Sequence, residues 1–110
     1  MFSTGDVSRV REVFADGYID HQGLGGEKVR GPDGFARVVR AARNPERYAD
    51  VAVTIEDAIV EGDRAAVRLR WRQTLCSGEE VRRETIDLLR IADGRVVEHW
   101  GAESGREASS

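Results

Sequence analysis

Two apolar runs flank the dipeptide Asp93-Gly94, and this arrangement predicts a β-hairpin near the carboxyl end of the chain. The strand before the turn contains an acidic residue, Asp87, between Ile86 and Leu88. Because burial disfavours a charged carboxylate, Asp87 must be neutral, as a proton donor is, or have a partner that satisfies it. Asp87 is therefore the first candidate for chemistry. The alternative is a structural carboxylate held by backbone amides or by an arginine such as Arg70.

The chain has 110 residues, which is the size of one domain. We expect that domain to comprise residues 1–102, because residues 103–110 are small, polar and unpatterned and are predicted to form a disordered tail. The 17 Lys and Arg residues against 20 Asp and Glu give a net charge of −3. This balance argues against electrostatic capture of nucleic acid as the function.

The single cysteine, Cys76, cannot form an internal disulfide, and no Cys/His cluster has the spacing of a structural zinc site. No apolar run approaches the roughly 18 residues of a membrane-spanning helix, and the amino terminus does not have the pattern of a signal peptide. We therefore expect a soluble, cytoplasmic protein with no membrane partner.

The first part of the chain has the three- and four-residue spacing of helices. Apolar residues after Asp6 predict a first helix that ends near Asp16-Gly17, and Gly31-Pro32-Asp33 begins a second helix, with proline in its first turn. Between them, residues 18–21 are predicted to be extended and residues 22–28 to form a glycine-rich loop at the rim of the domain.

From Val51 onward the apolar period changes to two, which predicts strands. The clearest strand runs from Arg64 to Leu75, with apolar residues and Gln73 at odd positions and arginines at most even positions. Helices followed by four antiparallel strands predict an α+β domain, in which helices cover one face of a curved sheet. Such a cone encloses a pocket.

The register of the last hairpin decides which aromatic residue enters this pocket. A two-residue Asp93-Gly94 turn would place Trp100 opposite Asp87, whereas a bulged three-residue turn would bring His99 inward. The two-residue turn is the commoner one, so we expect Trp100 inside and His99 outside.

Other candidates have both a functional and a structural interpretation. His21 suits proton abstraction because an unperturbed histidine has a pKa near 6.5, although a lone histidine is more often a surface residue. Trp71 and Trp100 are either ligand platforms or core filling. Gln73, at the end of an apolar row, requires a hydrogen-bond partner from solvent or from a ligand.

Several of these residues also carry a family resemblance. They are Gly5-Asp6 with Tyr18-Ile19-Asp20-His21 and Gly31, the run Gly62-Asp63-Arg64-Ala65-Ala66-Val67, and the segment from Ile86 to Trp100. In this pattern the chain resembles the SnoaL-like polyketide cyclases of the NTF2-like superfamily, which also contains ketosteroid isomerase and limonene epoxide hydrolase. The superfamily includes many activities, so the resemblance says little about the substrate.

The resemblance implies a cone-shaped domain, usually a homodimer, with a pocket between the helices and the concave sheet and with no metal or organic cofactor. In the cyclases the position of Asp87 is that of the acid/base aspartate of an aldol closure. In ketosteroid isomerase the segment matching residues 86–96 carries the protonated aspartate of the oxyanion hole. The general-base aspartate of the isomerase corresponds to His21.

Two departures from the family pattern matter. The relatives have a long helix before the Gly-Asp pair, and this chain begins four residues before Gly5, so we expect part of the pocket's cover to be absent or shortened. Gln73 lies near a position at which the cyclases resemble one another in carrying a histidine, so hydrogen bonding there would be neutral.

The leading hypothesis is a cyclase or isomerase that uses acid/base catalysis on an apolar, carbonyl-bearing molecule such as a polyketide. His21 would take the proton, Asp87 in its neutral form would donate to the enolate oxygen, and Gln73 would orient the carbonyl. The side chains expected to shape the pocket are Trp71, Trp100, Tyr18 and Phe35. The alternatives are an epoxide hydrolase, in which Asp87 activates water, and a non-catalytic module that binds a small ligand or pairs subunits.

Overall fold

The structure, a computed structural model, describes residues 1–24, 27–103 and 107–109. Within these residues the chain forms two helices and seven strands. In chain order they are α1 (Val10–Val13), β1 (Phe14–Leu24), β2 (Glu27–Arg30), α2 (Gly31–Ala42), β3 (Tyr48–Glu61), β4 (Arg64–Leu75), β5 (Glu80–Ala92), β6 (Arg95–Glu103) and β7 (Glu107–Ser109). Neither helix is long and apolar enough to cross a membrane, and α2, the longer one, has 12 residues.

The strands form one curved sheet in the order β2-β1-β6-β5-β4-β3, and β7 pairs with β5. Strands β3 to β6 form the predicted antiparallel meander. The sheet as a whole is mixed rather than antiparallel, because β1 lies parallel to β6. Glu103 ends β6 and residues 107–109 form β7, so these parts of the predicted disordered tail are strand, and residues 104–106 and 110 lie outside the described residues.

The prediction of a first helix from Asp6 is largely wrong. The Asp6 carboxylate accepts a hydrogen bond from the amide of Ser8 (2.9 Å), but the helix begins only at Val10 and has four residues. Phe14 begins an 11-residue strand instead, since the aromatic and β-branched residues in this segment favour extended structure. Strand β1 continues to Leu24, so the predicted glycine-rich loop is mostly strand, and residues 25–26 lie outside the described part.

Helix α2 begins as its sequence predicts. Gly31, with φ +73°, turns the chain at its start, Pro32 lies in the first turn, and Asp33 is near the positive end of the helix dipole. Phe35 and Val39 of α2 are buried against the sheet. The core that results joins α2 to β1 and β6 through Val10, Phe14, Tyr18, Phe35, Val39 and Val96.

The β5–β6 hairpin contains the predicted two-residue turn, with φ +53° at Asp93 and +74° at Gly94. Ile91 pairs with Val96, but the next pair is Arg90 with Glu98, so Val97 is an extra residue in β6. This β-bulge reverses which side chains face inward beyond it.

The close approach of α2 to β2 gives a test of the packing. A Cβ atom at Gly34 would lie 2.6 Å from Cγ1 of Val29, a buried residue. We expect Gly34→Ala to lower the free energy of unfolding by about 1–2 kcal/mol, despite alanine's better helix propensity. Gly17→Ala is the control, because Gly17 has no neighbour within 4 Å, and it should change stability by less than about 0.5 kcal/mol. Equal changes in the free energy of unfolding for Gly34→Ala and Gly17→Ala, measured by urea unfolding, would contradict the close contact between Gly34 and Val29.

Candidate active site

A cavity of about 360 Å³ lies between α2 and the inner face of the sheet. Its wall is mostly apolar, and its polar side chains come from β1, β5 and β6. The apolar lining includes Phe2, Phe14, Tyr18, Phe35, Val38, Val67, Leu69, Trp71 and Leu89, and the polar lining is Asp20, Gln22, Arg83, Thr85, Asp87 and His99. A cavity of this composition suits a small, largely apolar molecule with a few polar groups.

Asp87 faces this cavity from β5 and is 8% exposed, as its position in an apolar strand predicts. Its Oδ1 atom lies 2.5 Å from Nε2 of His99. Its Oδ2 atom accepts a hydrogen bond from the hydroxyl of Thr85 (2.8 Å), which itself accepts one from the indole N–H of Trp71 (3.2 Å). Both carboxylate oxygens therefore have partners, and the orientation of the side chain is defined.

His99 lies between two carboxylates. Its Nδ1 atom is 3.0 Å from Oδ1 of Asp20, while Nε2 faces Asp87. Burial by itself lowers the pKa of His99, but the hydrogen bonds and charges of Asp20 and Asp87 outweigh it and raise the pKa to about 9. The ring is therefore an imidazolium at neutral pH that donates from both nitrogens. We call Asp20, His99 and Asp87 the charged triad.

The sequence analysis did not assign Asp20 or His99 to the site: it named His99 only as the residue that a bulged turn would bring inward, and it did not consider a role for Asp20. Asp20 is 3% exposed, and its Oδ1 atom also accepts a hydrogen bond from the backbone amide of Gln22 (2.9 Å). A usable signal existed for Asp20, because residues two apart in a strand share a face and Tyr18 was already assigned to the pocket. The same parity places His21 on the other face.

His21 and Trp100 lie on the outer face of the sheet, so the prediction that they enter the pocket is wrong. Their rings stack with centroids 5.1 Å apart and an interplanar angle of 6°. His21 Nε2 also contacts Glu98 (2.9 Å), which pairs with Arg90 (2.7 Å). Trp100 lies on the outer face because the bulge at Val97 shifts β6 by one residue and turns His99 inward instead.

The other predicted pocket residues divide into two groups. Trp71, Tyr18 and Phe35 line the cavity. Gln73 does not line it: this residue is buried, and its amide donates to the carbonyl oxygen of Ala42 (3.0 Å) at the end of α2. Gln73 therefore links the end of α2 to β4 and is not placed to orient the carbonyl of a substrate.

A glycine keeps the inner face of β6 open beside the charged triad. Gly101 pairs with Asp87, and a Cβ atom at this position would lie 3.2 Å from Oδ1 of Asp87 and would overlap the side chain of Gln22. Among the described residues no group of His, Cys, Asp and Glu side chains is arranged to hold a metal ion.

The raised pKa of His99 predicts how stability depends on pH. Because the folded-state pKa exceeds the usual 6.5, the stabilisation is complete below about pH 6.5 and is lost as the pH rises through about 9. We expect the free energy of unfolding of the wild type to fall across this interval, and His99→Gln to remove most of that fall. The variant His21→Gln should keep it, because His21 lies outside the charged triad. The free energy of unfolding is measured by urea unfolding at each pH. If it falls with pH equally in the wild type and in His99→Gln, the ion pairs of His99 with Asp20 and Asp87 are contradicted.

Comparisons with known proteins agree with this architecture. No protein of curated function matches the sequence. The structure superposes on IdmH, a proposed polyketide cyclase from Streptomyces antibioticus, with a TM-score of 0.77 and 25% identity, covering 94% of this chain and 84% of IdmH. An NTF2-like protein from Mesorhizobium loti gives a TM-score of 0.68 and 27% identity, covering 94% of this chain and 82% of that one.

A third structure, a proposed polyketide cyclase from Bacillus cereus, has a TM-score of 0.81 at 24% identity, with 94% of this chain and 66% of that chain covered. These likenesses confirm the predicted NTF2-like α+β fold. The sequence profile of the SnoaL-like domain matches residues 1–99. The chain therefore belongs to the SnoaL-like domain family.

Proposed function

We propose that this protein is an acid/base enzyme that cyclises or isomerises an apolar, carbonyl-bearing small molecule of the polyketide type. The observation that carries the proposal is the charged triad in the wall of an otherwise apolar cavity. A buried and oriented carboxylate beside space for a ligand is the arrangement that proton transfer requires. The family membership and the likeness to IdmH support the same reaction class.

In the proposed reaction the carboxylate of Asp87 takes a proton from the carbon next to a substrate carbonyl. The electron pair of the broken C–H bond forms an enolate. For cyclisation, the enolate carbon forms a bond to a second carbonyl carbon, and the resulting alkoxide takes the proton back from Asp87. For isomerisation, the proton returns to a different carbon. Asp87 ends in its starting state in both cases.

The roles of the other two members of the charged triad follow from their contacts. The imidazolium of His99, 2.5 Å from Asp87, orients the carboxylate, while Asp20 holds the other ring nitrogen. The sequence-based hypothesis had a neutral Asp87 as donor and His21 as base. The observed contacts instead favour Asp87 as the base, because its nearest partner is a cation.

The lining of the cavity supports an apolar substrate. Trp71 and Phe35 each present an aromatic ring, and Phe2 packs edge-on to both, with centroids 4.7 Å from Trp71 and 5.5 Å from Phe35. A planar, hydrophobic ring system gains the burial of its faces against such a wall.

A second candidate, hydrolysis of an epoxide, is favoured by one observation: two carboxylates, Asp20 and Asp87, both line the cavity with a cation between them. One carboxylate would then activate water, and the imidazolium of His99 would donate a proton to the opening epoxide oxygen.

The proposed function predicts exchange of a carbon-bound proton in a simple ketone. With 1-tetralone in D₂O, the wild type should catalyse deuterium uptake at the carbon next to the carbonyl, measured by mass spectrometry. Asp87→Asn should lower this rate by roughly 10²–10⁴-fold and keep the circular dichroism spectrum of the folded protein, because an amide cannot accept the proton. His21→Gln is the control and should exchange at the wild-type rate.

Two outcomes would contradict the cyclase or isomerase proposal. One is undiminished exchange in Asp87→Asn, and the other is a wild type that exchanges no proton but hydrates cyclohexene oxide, which would establish the hydrolase instead.

The expected homodimer stays a prediction. One apolar surface available for it is the outer face of β5 and β6, where Ile86 and Leu88 are 58% and 38% exposed and Trp100 is paired with Leu88.

A further inference from the structure

One buried polar group of the cavity wall has no role in the proton transfer described above. Tyr18, in β1, is 1% exposed, and its hydroxyl has no hydrogen-bond partner among the residues that the structure describes. Its ring is held edge-on by Phe14, with centroids 4.7 Å apart, and by Phe35 at 6.2 Å. A buried hydroxyl without a partner costs free energy, and a phenylalanine would fill the same space without that cost.

Tyr18 lies close to the charged triad in the cavity wall. Tyr18 lines the cavity and precedes Asp20 by two residues, so the two side chains lie on the same face of β1, roughly 7 Å apart along the strand. Burial, and then the negative charges of Asp20 and Asp87, raise the pKa of Tyr18. The phenol therefore stays protonated throughout the physiological range and is available as a donor.

The donors that contact Asp87 are already engaged. The hydroxyl of Thr85 donates to Asp87, and the indole of Trp71 donates to Thr85. Both nitrogens of His99 face carboxylates. The guanidinium of Arg83, which also lines the cavity, donates to Glu103 and lies over the Trp71 ring (4.3 Å), although its Nε atom has no partner among the described residues. An enolate that forms beside two carboxylates needs a donor for its oxygen, and Tyr18 is a buried donor of this wall with no acceptor in the described part of the chain.

We propose that the hydroxyl of Tyr18 binds the carbonyl oxygen of the substrate and stabilises the enolate that forms when Asp87 removes the neighbouring proton. The inference rests on the proposed function and makes it more specific, since the substrate must present a carbonyl oxygen toward β1 and an acidic C–H bond toward β5. A substrate bound in this way supplies the partner that the hydroxyl lacks.

The test compares Tyr18→Phe with the wild type in deuterium exchange of 1-tetralone. The variant should exchange roughly 10²–10³-fold more slowly, which is the effect of removing one oxyanion donor. Its midpoint in thermal unfolding should be unchanged or higher, because the substitution removes a buried polar atom that has no partner. In addition, the infrared carbonyl band of bound 1-tetralone should lie at a lower frequency in the wild type than in Tyr18→Phe.

Tyr48→Phe is the matched control, because Tyr48 lies at the start of β3 and does not line the cavity. It should exchange at the wild-type rate.

Three other results would each contradict part of this account. If Tyr18→Phe exchanges at the wild-type rate while Asp87→Asn does not, the assignment of Tyr18 is overturned and the proposed function stands. A clear fall in the unfolding midpoint of Tyr18→Phe, with an unshifted carbonyl band, would show that the hydroxyl has a structural partner and would also overturn the assignment. A wild type that exchanges no proton removes the proposed function and this inference together.

Discussion

The imidazolium of His99 between two buried carboxylates is the interaction on which the site depends. Asp20 and Asp87 are 3% and 8% exposed, and two carboxylates so little hydrated would repel each other and pay a large desolvation cost without a cation between them. The ring supplies that cation and uses both nitrogens to do so. Removing either carboxylate would lower the pKa of His99, and removing His99 would leave two uncompensated charges in the wall of the cavity.

Two features of the backbone bring this triad together. The parallel pairing of β1 with β6 sets Asp20 opposite His99 in register, although 79 positions separate them in the sequence. The bulge at Val97 then turns His99 inward, and Gly101 leaves room for Asp87 next to it. The charged triad therefore depends on the mixed sheet and on one extra residue in β6. Bulges commonly re-aim a side chain near an active site in this way.

Local patterns in the sequence predicted a large part of this structure. The apolar run with its Asp-Gly turn predicted the β5–β6 hairpin and a buried Asp87, and proline in the first turn predicted α2. These features depend on neighbours in the chain. The positions of His99 and Trp100 depend on a bulge, and the pairing of Asp20 with His99 depends on a parallel strand pair; neither the bulge nor the pairing has a local signature. The error at His21 was avoidable, because Tyr18 and His21 are three apart and cannot share one face of a strand.

The protonation state of His99 tests the central claim most directly. The ¹⁵N chemical shifts of its ring, followed by NMR as the pH is raised, report whether one or both nitrogens carry a proton. The charged triad predicts that both nitrogens remain protonated at about pH 8 and that the ring titrates near 9. A ring that is already neutral at about pH 8, and that titrates near the usual value of about 6.5, would contradict the account.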